Sequence, residues 1–590
     1  MLNNVFKIRF IPLLDSSLHF IQCKAREAKY IVMKKWEVLA SDSHIEDPQE
    51  IIDLLLKQRG ITTKKDRSNF LSPILEDVTL SSVEIDKKQV TTTLTRLEKA
   101  FKDKELVMVY GDYDVDGITG TAILWETLKS LGFETMPYIP HRVDEGYGLS
   151  EKGIDNLLTQ HPTAKLIITV DNGIVAAKAV EYAKTKKLDV IITDHHLPDD
   201  GSENPKSLAI VHTTKLCGAG VAWLLSKAIQ EKFGDISQIE EDIHLELAAL
   251  GTVADLVPLT GANRTIVFHG INRLCQTQRF GLVELYARAA IDAARIGVYE
   301  IGHVIGPRLN AAGRLESAMD SLRLLCTKDR ARAKALAEQL DITNTERQQI
   351  MRSSVEHATE IVRGRDDKKI IIIADESYEE GVIGLVAGRL VEEFYRPSIV
   401  IAKREKISKG SVRSVSGFNI IEFLRSKSEL FINVGGHPMA AGFSIESEKI
   451  DDFKKLLEEH AEVQVAEALL QRKVKVDLEL PFNTISPDLY NKLQELAPFG
   501  MGNHEPTFIS KNVLVREKRV MGKEGKHLRL ILQGGEVGKV LEAVAFGMGD
   551  RSSEINEEDY IDIVYTIDEN EWKGTTRLQL KIKDFRPPSQ

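Results

Sequence analysis

The chain has 590 residues, 43% of them hydrophobic and 28% charged, with a formal net charge of −10. This is ordinary globular composition, and at ~150 residues per domain it suggests about four domains. No apolar run approaches the ~18 residues of a membrane helix, so no membrane partner is expected. The four cysteines (Cys23, Cys217, Cys275 and Cys326) form no CxxC pair, as expected of reduced thiols in a cytoplasmic protein. The acidity taken alone argues against a nucleic-acid partner, but phosphate affinity follows local patches and not the total.

Residues 1–32 fit poorly with the rest of the chain. Lys7 and Arg9 precede a short apolar stretch that Asp15 interrupts, and no small-residue cleavage site comes after it, so a secretory signal is not predicted. Residues 33–104 read as a small helical region. Ile51, Ile52, Leu54, Leu55 and Leu56 recur at helical spacing, and Val90–Lys104 is an amphipathic helix. The stretch Leu106–Gly117, LVMVYGDYDVDG, is then a buried strand that breaks into a loop carrying Asp112, Asp114 and Asp116. Three carboxylates so close repel one another unless a cation sits among them. A Ca²⁺ loop of the EF-hand type is excluded, because no Glu stands at the twelfth position and the loop opens from a strand. A solvated acidic turn remains the plain alternative.

The same design recurs twice. Leu166–Val170 ends in Asp171, Asn172 and Gly173, and Val190–Thr193 ends in Asp194, His195 and His196. Strands alternating with helices such as Ala176–Lys184 predict a parallel doubly wound sheet, whose strand ends meet at one ligand-binding edge. A further acid, Asp255, sits in the apolar frame TVADLV. Carboxylates mixed with imidazole suit Mn²⁺ or Mg²⁺, whereas Zn²⁺ sites more often recruit Cys. The Gly-rich start at Cys217–Ala222 is expected to serve tight helix packing more than anion binding. Arg142, in a loop beside a Gly-rich turn, is either a phosphate contact or a plain surface arginine.

Residues 266–365 read as a mostly helical linker region, ending in one long helix over Ala331–Arg363. The stretch Gly306–Arg314 is the expected exception, with two arginines and Asn310 in a small-residue frame suited to a close approach; a helix N-terminus carrying surface arginines is the plain alternative. Residues 366–465 predict a second α/β lobe, with strands at Lys369–Ala374 and Ser398–Ala402 around a helix ending at Phe394. In it Ser411 and Arg413 offer a hydroxyl and a guanidinium suited to phosphate oxygens. Residues 466–590 change to short alternating runs with Gly-rich turns, the pattern of a small antiparallel barrel.

The motifs GDYDVDG, VDNG, TDHH and TVADLVPL, in that order and followed by a GGH motif, resemble the DHH phosphoesterase superfamily, and most closely its RecJ-like branch of single-strand-specific exonucleases. The likeness runs from about Trp36 almost to the C-terminus. It implies an α/β fold: a parallel-sheet DHH domain over 105–265, a second DHHA1-type lobe over 366–465 joined by a long helix, and a C-terminal OB-type barrel over 466–590. It also makes Met33 the candidate start or, alternatively, residues 1–32 a poorly ordered extension. One departure stands out. Relatives carry Trp-His ahead of the Gly-Val-Ile-Gly stretch, where this chain has Tyr378-Glu379.

The resemblance implies a metal-dependent exonuclease that hydrolyses single-stranded DNA 5′→3′ to mononucleotides in recombination and repair. Two ions, Mn²⁺ or Mg²⁺, are expected on Asp114, Asp116, Asp171, His195 and Asp255, with one of Asp116, Asp171 and Asp255 bridging them. Asp112 is expected outside the ligand set, Asp194 is expected to orient His195, and His196 to contact the scissile phosphate or protonate the leaving oxygen. Arg142, Arg308, Asn310, Arg314, Ser411, Arg413, Gly435, Gly436 and His437 are the nucleic-acid candidates. Single-stranded DNA is the expected partner, with single-strand-binding protein and a helicase as further candidates. A small-substrate hydrolase of the same superfamily, acting on short oligonucleotides or cyclic dinucleotides, is the alternative. A non-catalytic DNA-binding scaffold is the third reading.

Overall fold

Strand β1 (Leu106–Gly111) is flanked by β2 (Thr135–Tyr138) and β3 (Ala164–Val170), followed by β4 (Asp189–Asp194) and β5 (Ala209–His212). All four pairings are parallel, in the order β2-β1-β3-β4-β5. The chain reverses its direction of winding between β1 and β3, and such a switch point opens a crevice at the carboxyl ends of the strands. Residues along each strand alternate between two buried faces. Val107, Val109, Leu166, Ile168 and Ile191 pack on one; Met108, Tyr110, Ile167, Val190 and Ile192 pack on the other. Both faces are apolar because helices cover both, as a parallel sheet requires.

This computed structural model describes residues 34–40, 45–142, 144–146, 148–198, 204–234, 244–315, 317–365, 368–572 and 574–588. The expectation for residues 1–32 lies outside the described residues. The chain divides into two units, one of residues 38–346 and 476–590, the other of residues up to 37 and 347–475. Among the described residues no helix is long and apolar enough to cross a membrane.

The helices against the first face are α1 (Lys87–Asp103), α2 (Val115–Ser130) and α3 (Gly218–Phe233), and α4 (Leu245–Ala254) packs on α2 and α3. The stretch expected to depart from helix, Gly306–Arg314, is instead helix α5 (Gly306–Leu315), entered through a π-helical turn over Glu300–Ile305. Its small residues serve packing rather than a loop: Ala311 and Ala312 are fully buried. The long helix is α6 (Arg330–Arg363).

The second unit holds a five-stranded sheet of β6 (Ile371–Asp375), β7 (Ser398–Ala402), β8 (Ile407–Arg413), β9 (Asn433–His437) and β10 (Ala440–Glu446). Its order is β9-β10-β8-β7-β6, with only β6 and β7 parallel. Helix α7 (Ile383–Phe394) covers one face and the helix Ile450–Gln464 the other.

The C-terminal barrel belongs with the first unit. Its strands are β11 (Phe508–Met521), β12 (His527–Gly534), β13 (Val540–Ala545), β14 (Tyr560–Trp572) and β15 (Thr575–Arg586). Pairing runs β11-β12-β13-β15-β14 and closes from β14 back to β11. The barrel is not wholly antiparallel, since β13 and β15 run parallel, as a chain that crosses over the barrel before its last strand must. Residues 33–104 split between two cores. Ile51, Ile52, Leu55 and Leu56 pack with the barrel residues Phe508, Leu530 and Tyr565, whereas Val78, Val83, Val90 and Leu97 pack with the parallel sheet.

One arginine ties these parts together. Arg264 is 1% exposed. Its guanidinium donates to Phe70 O at 3.0 Å, Leu496 O at 3.1 Å, Ala497 O at 2.6 Å and Pro498 O at 3.4 Å. It also lies 3.8 Å from the centroid of the Phe70 ring.

A second buried arginine makes the fold sensitive to pH. Arg279 donates to Glu126 at 3.1 and 2.8 Å, to Glu246 at 2.6 Å and to Nδ1 of His244 at 2.7 Å. His244 is therefore held as a neutral acceptor, and burial together with the Arg279 charge pushes its pKa down to about 3. A depressed pKa on a base means that the unfolded chain takes the proton first. The stability involved is complete above the ordinary His value of ~6.5 and is lost as pH falls towards 3. At pH 5 the loss is about 2 kcal/mol, from ~1.4 kcal/mol per unit over ~1.5 units. In urea unfolding at pH 7.5 and pH 5, the stability difference between the two pH values is expected to shrink by about that amount in His244→Gln.

Candidate metal centre

The acidic loop is built by the end of one strand and the start of one helix. After β1 the chain buries Asp112 completely and then turns into α2. Asp114 is the N-cap of that helix, its side chain accepting from Gly117 N at 3.1 Å. Asp116 lies in the first turn, and its carboxylate accepts from Gly218 N at 2.6 Å and Ala219 N at 2.8 Å. The Gly-rich start of α3, expected to serve packing more than anion binding, also holds an anion, and the anion is the protein's own. The helix dipole and two orphan N–H groups favour a carboxylate there.

Asp171 follows β3 with φ at +63°, a left-handed conformation that Asp tolerates better than most residues. Its N–H donates to Thr193 O at 3.0 Å, which ties the end of β3 to that of β4. After β4, Asp194 accepts from the backbone N–H groups of Ile174 at 2.8 Å, His195 at 2.7 Å and His196 at 3.1 Å. The same carboxylate meets Nδ1 of His196 at 2.8 Å. Asp194 was expected to orient His195; its side chain instead orients the His196 ring, because the turn after β4 brings that imidazole back over the carboxylate. Asp255 caps the C-terminal end of α4.

These groups converge. Nε2 of His195 lies 3.1 Å from Asp171 Oδ1, 3.6 Å from Asp255 Oδ2 and 3.7 Å from Asp116 Oδ2. Among the described residues three sets have ligand atoms within 4.8 Å of one another: Asp112, Asp114 and Asp171; Asp116, His195 and Asp255; and Asp171, His195 and His196. Asp112, expected outside the ligand set, stands inside the first. Among the described residues, the buried atoms Asp112 Oδ1, Asp171 Oδ1 and His195 Nε2 have no hydrogen-bond partner. Buried polar atoms left so are rare and costly. Carboxylate oxygens with imidazole and no thiolate suit a hard divalent ion such as Mn²⁺ or Mg²⁺, so the residues present fit the group.

The electrostatics agree. Burial, then the neighbouring carboxylates, pushes Asp112 and Asp171 well above the usual range, raises Asp114, and lifts Asp255 to about 9. Burial holds His195 below its ordinary value, which keeps the imidazole neutral and able to ligate. Burial also opposes charge on His196, but the hydrogen bond and charge of Asp194 push its pKa up to about 9.

The other expected site residues fall in two places. Arg142 stacks over the Tyr113 ring, 5.0 Å from its centroid, and the charge of Arg314 also reaches that tyrosine. Arg308 is engaged within the protein, donating to Asp341 at 2.9 Å and Val304 O at 2.9 Å. Asn310 Oδ1 accepts from Val115 N at 3.0 Å, between Asp114 and Asp116. Ser411, Arg413, Gly435, Gly436 and His437 all lie in the second unit, where cross-strand register groups them. Ser411 pairs with Gly442 and Gly442 with Gly435; Arg413 pairs with Ala440 and Ala440 with His437. His437 is exposed and Arg413 half-buried. One residue here carried no signal in the sequence. His212, at the end of β5, meets His196 O through Nε2 at 2.7 Å. At Gly218 a Cβ would stand 2.5 Å from Asp171 Cβ.

Family models match three stretches: the DHH family N-terminal domain at 106–252, the DHHA1 domain at 367–462 and the RecJ OB domain at 476–584. The single-stranded-DNA-specific exonuclease RecJ of Bacillus subtilis is 35% identical over 546 residues, covering 90% of this chain and 67% of that protein. The Escherichia coli exonuclease of the same name is 31% identical over 572 residues, 92% of this chain and 97% of that one. The chain belongs to the RecJ family. The crystal structure of Thermus thermophilus RecJ in complex with Mn²⁺ superposes with a TM-score of 0.79 at 30% identity, covering 94% of this chain and 80% of that one. Its complex with Mg²⁺ gives 0.73 at 29%, over 94% and 79%. The RecJ-family domain order is thus the α/β, α/β and OB-barrel succession read from the motifs.

The tight seat of Gly218 yields a direct test. Gly218→Ala is expected to force α3 away from Asp171 and weaken Mn²⁺ binding, followed by calorimetric titration, by at least about tenfold, the scale of lost support around a metal. Gly388→Ala, in α7, where a Cβ would meet nothing within 4 Å, is expected to leave the titration unchanged.

Proposed function

We propose that this RecJ-family chain is a metal-dependent exonuclease that hydrolyses single-stranded DNA from the 5′ end to mononucleotides. The observation that carries the reading is the cluster of buried ligand atoms, Asp112 Oδ1, Asp171 Oδ1 and His195 Nε2 among them, that make no hydrogen bond among the described residues and gather at the strand ends of the sheet. We assign residues 105–265 as the metal-bearing domain, 366–465 as the second lobe and 466–590 as the barrel.

Asp112, Asp114, Asp116, Asp171, His195 and Asp255 would hold the metal. Asp171 and His195 each belong to two of those three sets and would be shared between the groups that hold the metal. Two bound divalent ions would supply a hydroxide nucleophile near neutral pH and offset the charge of the phosphate. His196 is held by Asp194 at Nδ1, and in the metal-free protein that bond and charge favour its cationic form. Its Nε2 proton is the one assigned to an oxygen of the scissile phosphate, and Asp194 fixes the ring for that task. Arg142, stacked on Tyr113, and the Ser411–Arg413 and Gly435–His437 rows are assigned to the phosphates of the strand.

The test is a long single strand labelled at either end, supplied with Mn²⁺ or Mg²⁺, with duplex of the same sequence alongside. Mononucleotides released from the 5′ end of the single strand, and lowered at least about 10³-fold in Asp171→Ala, are expected where a metal carries the catalysis. Cleavage confined to oligomers of a few bases would sink this reading in favour of a small-substrate hydrolase.

A further inference from the structure

Helix α5 touches the acidic loop at two points. Asn310 Oδ1 accepts the N–H of Val115 at 3.0 Å, the first N–H of α2, which no residue of that helix can satisfy. One turn on, a Cβ at Gly313 would stand 2.5 Å from Tyr113 O, so only glycine lets the two backbones lie so close. Elsewhere α5 is fixed to its surroundings. Arg308 pairs with Asp341 of α6 at 2.9 Å, and the buried Ser321 hydroxyl donates to Leu309 O at 2.7 Å.

We propose that Asn310 is a positioning residue for the metal centre: by holding Val115 N it fixes the spacing of Asp114 and Asp116, and it does not contact DNA. The inference rests on the metal-centre reading above. Val115 stands between the two acids, so a bond to its N–H restrains both of their backbones. Without a cation, the carboxylates of Asp112, Asp114 and Asp116, crowded within five residues, repel one another and work to spread the loop. A strut anchored on α6 resists that spreading and leaves the ligands set before an ion arrives. Preorganisation of this kind shows as affinity, because less ordering remains to be done on binding.

The experiment is Mn²⁺ titration of the metal-free full chain, followed by calorimetry and by the Mn²⁺ paramagnetic-resonance signal, with Asn310→Leu, Asn310→Asp and Asp171→Ala beside the wild type. Asn310→Leu is expected to bind Mn²⁺ about tenfold more weakly. Asn310→Asp keeps the acceptor and is expected to restore binding to within about threefold. Anisotropy of a labelled single strand in EDTA is expected to give the same affinity for the wild type and both Asn310 variants. An Asn310→Leu protein with unchanged Mn²⁺ affinity overturns the proposal. So does one that loses strand affinity in EDTA, which would make Asn310 a DNA contact. Should the leucine variant fail to fold, Asn310→Ser, too short to reach Val115 N, carries the same expectation. Wild-type protein that takes up no Mn²⁺, or Asp171→Ala that takes it up normally, would instead overturn the metal-centre reading itself.

Discussion

Crowded negative charge is the constraint around which this molecule is arranged. Asp112, Asp114, Asp171 and Asp255 raise one another's pKa values, and burial removes the water that would have screened them. The chain offsets this with dipoles wherever it can. Asp116 sits on the N-terminal end of α3, Asp114 caps α2, and Asp194 collects three backbone N–H groups and one imidazole. What these leave over, a cluster of oxygens and one neutral imidazole nitrogen, is the demand that a divalent ion meets. A RecJ-family exonuclease needs that demand at one point and nowhere else. The parallel sheet meets the need by delivering every strand end to the same edge.

Much of this could be read from residues alone, for a physical reason. A buried parallel strand is a continuous apolar run, and each of β1, β3 and β4 ends where an acid begins, so Asp112–Asp116, Asp171 and Asp194–His196 announced both the strands and the edge. The second α/β lobe and the barrel were legible by the same alternation of runs and turns. Direct pairings across long separations were not. Nothing near Asp194 tells whether His195 or His196 will turn back onto it, since that depends on the backbone after β4. Asn310 and Val115 lie far apart in the chain, and no local pattern joins an amide to one particular N–H. The helical state of Gly306–Leu315 was obscured by its glycines and proline, which elsewhere break helices and here permit close packing.

The site therefore shows two grades of sequence signal. Ligand residues carry strong local patterns because the metal requires particular atoms. The groups that hold those ligands carry almost none, because a backbone N–H, a glycine or a stray His212 can come from any element that happens to pass. The nucleic-acid candidates fall between the two. Ser411 and Arg413 lie two apart on β8, and β10 relates them to Gly435 and His437 by register, a regularity that a list of motifs cannot express.

The bonds of Arg264 bear on how such a chain could be assembled or shortened. In linear order the barrel looks detachable, since it begins after the second lobe and has a fold of its own. Yet Arg264 spends its donors on carbonyls at Phe70, Leu496, Ala497 and Pro498, two stretches more than four hundred residues apart in sequence. A chain ended before residue 476 would leave that guanidinium buried beside vacated acceptors, and would bare the apolar side of the helix carrying Ile51 and Leu55. Gene architecture and mechanical architecture thus disagree. The barrel is a separate stretch of the sequence, but the segment leading into it supplies three of the four carbonyls that Arg264 holds in the folded protein.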